Sequence, residues 1–97
     1  MSEEAEIEKI AQTIYDAIFQ DESSVEIDGE EYQIQKTSKS KVRLVKYGDL
    51  TFIEQNPFTS SRWAREAQSG HQIMWVMKEQ QYLARIRDGK YLDLMKK

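Results

Sequence analysis

The sequence predicts an α+β fold: a single domain in which a long N-terminal helix packs on one face of a twisted antiparallel sheet and a second, short helix closes one end. Three observations carry this prediction. Isoleucines recur at helical spacing over residues 7–18, apolar residues alternate with period two after Ser23, and turn dipeptides fall at Asp28-Gly29, Gly48-Asp49 and Asp88-Gly89. The chain has 97 residues, 39% of them hydrophobic and 32% charged, which suffices for one core and leaves no room for a second domain. The whole of residues 1–97 is therefore read as one unit, in the order α-β-β-β-β-α-β-β-β.

The first helix is expected from about Glu3 to Gln20. Ile7, Ile10, Ala11, Ile14 and Ile18 form one face, and Glu4, Glu8, Gln12 and Asp16 another. Ser2 serves as its cap, and Glu3, Glu4 and Glu6 complement the positive end of the helix dipole. Val25, Ile27, Tyr32 and Ile34 then alternate around Asp28-Gly29, predicting a hairpin over 24–36. A third strand is expected around Val42, Leu44 and Val45, and a fourth over Leu50–Gln55. Asn56-Pro57 stops the sheet, because proline lacks the ladder donor and disfavours helix in the residue before it.

Thr59, Ser60 and Ser61 offer caps for a short helix from Arg62 to Ser69, ended by Gly70. The next strand, HQIMWVMK, is apolar on both faces: Ile73, Trp75 and Met77 on one, Met74 and Val76 on the other. Such a strand belongs in the middle of a sheet. Tyr82–Arg87 and Tyr91–Leu94 complete a last hairpin around Asp88-Gly89, the alternative being one amphipathic helix over 82–95. The Asp-Gly echo between the halves reflects turn chemistry and not duplication.

Charge is distributed unevenly. Residues 1–35 hold eleven acids and one base, Lys9, a net of -10, whereas residues 36–97 hold six acids and thirteen bases, a net of +7; the total is -3. A basic segment attracts anions only when one face presents it. The absence of cysteine excludes disulfides, thiolate nucleophiles and cysteine-ligated metals, and a single histidine excludes a histidine-rich metal site. No apolar run approaches the roughly 20 residues of a membrane span, and the acidic start is unlike a signal peptide, so a soluble, cytoplasmic protein without membrane association is expected.

No nucleotide-binding, hydrolase or metalloprotease motif occurs, and His71, at a loop-to-strand junction, reads as a hydrogen-bonded structural residue. The chain is thus expected to be no enzyme and to need neither cofactor nor metal. Two constellations are candidates for binding. Arg62-Trp63 and Arg65 sit on the short helix, where arginines meet anions and tryptophan stacks, against the plainer reading of a core tryptophan. Lys41, Arg43 and Tyr47 are expected on one face of the third strand together with Val45, opposite a core face of Val42 and Leu44. Arg85 and Arg87 would extend that basic, partly aromatic face, as single-stranded RNA or DNA binders use.

The acidic helix supports the leading expectation, a protein-interaction or regulatory module acting on a macromolecular partner, with single-stranded nucleic acid as the alternative. The stretch Gln55-Asn56-Pro57, Trp63-Ala64, Ala67, Gly70-His71 and Ile73-Met74-Trp75-Val76, about a fifth of the chain, resembles small conserved archaeal and bacterial proteins of uncharacterised function. The resemblance implies no activity and transfers no functional residue.

Overall fold

The isoleucine stripe winds onto one side of α1 (Glu3–Phe19), and the computed structural model, which describes residues 3–95, buries its C-terminal half completely: Ala11, Ile14 and Ile18 have no exposed surface. The expected cap, Ser2, lies outside the described residues. At its other end α1 closes in a Schellman turn, with Glu22 N–H donating to the Ala17 carbonyl and Asp21 N–H to that of Ile18. Asp21 takes the left-handed conformation there (φ 58°), a place that asparagine, aspartate and glycine tolerate best.

The strands form two antiparallel sheets. β1 (Ser24–Ile27) and β2 (Glu30–Gln33) make a hairpin of their own. The other six make a meander in sequence order: β3 (Gln35–Lys36), β4 (Arg43–Tyr47), β5 (Leu50–Glu54), β6 (Ile73–Lys78), β7 (Gln81–Arg87) and β8 (Lys90–Asp93). Between β5 and β6 stands α2 (Arg62–Gln68), capped by the Ser61 hydroxyl, which accepts from Ala64 N–H at 3.1 Å. Gly70 follows at φ 102°, where a side chain would be strained, and ends it as expected.

The α+β class, the long helix on one sheet face and the antiparallel pairing stand as the sequence predicts. One strand is added. The expected second strand of the first hairpin breaks at Ile34, so that its first part pairs with β1 and its last two residues pair with β4. Ile34 N–H still donates to the Ser23 carbonyl and its side chain still packs on the core, so the alternation runs unbroken across the division and hides it. Residues 82–95 form the hairpin and not the alternative helix: Asp88 and Gly89 both have positive φ (52° and 85°), which a type I′ turn requires and a right-handed helix forbids.

The register assigns every strand residue to a face. Val45, Leu50, Phe52, Met74, Val76, Ala84 and Ile86 point toward α1 and, with its buried residues and Val25 and Ile27, make the main core. Leu44, Ile53, Trp75, Arg85 and Leu92 align in a row on the opposite face, next to a second row of Lys46, Thr51, Met77 and Tyr82. A bulge between Val76 and Met77 lets Leu83 and Ala84 both reach the α1 side while Tyr82 turns to the other, against Trp75. As predicted, β6 is a central strand with both faces apolar.

Candidate functional site

The fully buried part of α1 ends at Ala11, and the turns before it are only partly covered, with Ile7 and Ile10 at the edge of the core. Ile7 and Ile10 are only half-buried, and beneath them opens a groove of about 730 Å³. Its floor is apolar and aromatic, from Leu50, Leu83, Tyr47 and Tyr91. Meander parity explains what rims it: the β4–β5 and β6–β7 turns and the end of β8 all lie at one end of the sheet. That end brings Asp49 and Asp93 beside Glu26 and Asp28 of the first hairpin and Glu3, Glu4 and Glu6 of α1, seven carboxylates against Lys9 and Lys78. Lys78 itself is paired with Asp49 at 3.4 Å. The negative field is visible at Tyr91, whose phenol is pushed up to about 12 by burial and then by Asp93, Glu8 and Glu4.

Such a groove attracts cations and shelters apolar groups at once. Its volume lies within the range of ordinary ligand pockets, roughly 300–1,000 Å³. No single segment of the sequence announces it, because its acids come from α1 and three separate strand ends. The usable signal is the parity of the meander together with acids at the Asp28 and Asp49 turns.

The expected basic face divides between two surfaces. Arg43 and Tyr47 lie on the α1 side with Val45, which is fully buried there, so this is the core face and not its opposite. Arg43 is committed within the fold. Its guanidinium pairs with Glu54 through Nε–Oε1 and Nη2–Oε2, both at 3.0 Å, donates to the Ile18 carbonyl at the end of α1, reaches Asp21 and lies over Phe19. Hydrogen bonding to Glu54, opposed by burial, holds its pKa above the ordinary value. Tyr47 meets Tyr32 edge-to-face at 5.2 Å. Lys41 is exposed at a left-handed position (φ 60°) before β4 begins. Alternation correctly groups Arg43 with Val45 and Tyr47, but α1 takes the side on which the larger apolar area accumulates across all strands.

Arg85 and Arg87 lie on the opposite face, where α2 brings Arg62 beside them. Trp63 meets Trp75 edge-to-face at 5.5 Å, and Trp75 meets Tyr82 at 5.0 Å. The Arg85 guanidinium lies 4.0 Å from the Trp63 ring centre and 5.7 Å from that of Trp75, and Arg62 lies 4.8 Å from Trp63. Trp63 is thus half-buried and a stacking surface together, while Ala64 is the α2 residue that is fully buried. Arg87 and Arg62 share one carboxylate, Glu66, at 2.7 and 3.4 Å, and bonding to Arg87 lowers that carboxylate's pKa. Arg65 is exposed on the same helix.

His71 Nδ1 lies 2.7 Å from Asp88 Oδ2, whose other oxygen accepts from Gln72 N–H, and Arg87 Nη2 lies 3.5 Å from His71 Nε2. Both ring nitrogens are therefore engaged. Among the described residues no group of three histidine or acidic side chains is placed to hold a metal, and no helix is long and apolar enough to cross a membrane. Compared with known proteins, the chain matches no family model, no curated protein and no solved structure.

Proposed function

We propose that the chain is a non-catalytic interaction module that captures a lysine- or arginine-bearing amphipathic segment of a protein partner in the acid-rimmed groove. The observation that carries this is the pairing of an apolar floor with seven carboxylates and two lysines around about 730 Å³. Ile7 and Ile10 offer apolar contact to the segment's greasy side, and the rim draws in its cations. Burial of the half-covered isoleucines supplies affinity, while the charges supply orientation and encounter rate.

The reading is tested with a fluorescent 18-residue peptide of leucine and lysine at amphipathic helical spacing, titrated by anisotropy at low ionic strength. Binding that weakens as salt rises, and that falls at least about tenfold with Glu4→Lys plus Asp93→Lys, supports it. A leucine–glutamate peptide of the same pattern should not bind. Equal binding of both peptides, or indifference to the charge reversal, overturns it.

A further inference from the structure

On the face of the sheet opposite the groove, Arg85 is held without an acceptor. Its Nε is fully covered and has no hydrogen-bond partner among the described residues, and no carboxylate pairs with the guanidinium. Burial and the neighbouring cations of Arg62 and Arg87 lower its pKa, with Glu66 the opposing charge. Nε itself is closed to solvent, but the side chain is only half-buried, and an incoming anion would meet the rest of the guanidinium.

The surroundings state which anion. Trp63, Trp75 and Tyr82 form a continuous series of rings, with Arg85 at the Trp63 end and Tyr82, 52% exposed, at the other, so that an aromatic ring meets solvent on the same face, across Trp75 from the guanidinium. By register Lys46 lies in the Tyr82 row and Lys90 opposite Arg87, both on this face. Leu92, 47% exposed, adjoins Arg85 across β7 and β8. A planar ring and an anionic phosphate within one ligand would use both halves of the arrangement. A bare anion would leave the rings unused, and an uncharged aromatic would leave Arg85 unanswered.

We propose that the Trp63–Trp75–Tyr82 face with Arg85 and Arg62 is a binding site for a nucleotide unit, the base stacking at Tyr82 and the phosphate meeting Arg85. The site lies across the sheet from the acid-rimmed groove and stands or falls independently of it.

The test follows quenching of intrinsic tryptophan fluorescence at low ionic strength, with two probes: the ten-residue oligonucleotides dT10 and U10, and the mononucleotide AMP. Quenching that saturates, weakens with salt, and loses at least about tenfold in affinity with Tyr82→Ala supports the site, stacking being the term removed. Arg85→Gln should lose a similar factor. Should Arg85→Gln fail to fold, Tyr82→Ala, at an exposed position, decides alone. Tighter binding of the oligonucleotides identifies a strand as the source, and equal binding of AMP identifies a free nucleotide. Absence of quenching by every probe, or full binding by a folded Tyr82→Ala, overturns the proposal.

Discussion

Arg43 and Glu54 face each other across β4 and β5 in a two-pronged pair directly beneath the last turn of α1, and Arg43 carries that pairing on to the Ile18 carbonyl. One side chain thereby pairs with a sheet carboxylate and adds a second donor to the Ile18 carbonyl, which already accepts from Asp21 N–H. Both members are mostly buried, with 21% and 14% of their side-chain surface exposed.

Arg43→Met should therefore lower unfolding free energy by about 3 kcal/mol, because it leaves the Glu54 charge without its guanidinium, with only the backbone N–H of position 43 still donating to it, and removes one of two donors to the Ile18 carbonyl. Urea denaturation measures the loss. Arg43→Met with Glu54→Leu should recover part of it, since no charge is then left alone; a double variant as unstable as the sum of its singles would contradict the pairing.

Tyr91 ties stability to alkaline pH. Its folded pKa is raised to about 12, while an unfolded tyrosine ionises near 10. Folding must then hold the phenol neutral, so its contribution is complete below about pH 10 and is lost as pH rises through the folded value. Tyr91→Phe should flatten the decline in urea midpoint between about pH 10 and 12, and an unchanged slope would show that other tyrosines govern it.

The turn between β6 and β7 carries strain that a substitution can relieve. Glu79 occupies a left-handed position (φ 57°), where a long side chain is disfavoured and asparagine or glycine is accommodated. Glu79→Asn should raise stability by about 0.5–1 kcal/mol, read as a higher thermal midpoint. Asp28 and Asp88 hold the corresponding conformation with a residue that already suits it, so Asp28→Val should destabilise.

Particular residues show why the architecture was legible and the site was not. The isoleucines of α1, the Asp-Gly turns and the two-faced β6 each impose a local conformation, and local conformation is what periodicity reports. The face that α1 covers is different, because it is decided by apolar area summed over β4 to β7. Arg43, read by alternation alone, is a surface cation, while the helix that buries it comes from more than twenty residues earlier. Trp63 and Arg85 meet for a similar reason: α2 folds back over β6 and β7, and no spacing in the sequence records that contact. Ile34 hid a division between two sheets because it satisfies both.

The meander has a consequence for the order in which the molecule assembles. Each strand from β3 to β8 pairs only with its neighbours in sequence, so the ladder can grow by short steps that close small loops. α1 meets β1 first, but its face is complete only once β7 has joined the ladder, because the strands it rests on reach that far. During synthesis α1 precedes every strand it rests on, so part of its isoleucine stripe stays uncovered until β7 is made. The exposed glutamates of its first turns, Glu3, Glu4, Glu6 and Glu8, keep the uncovered helix from associating.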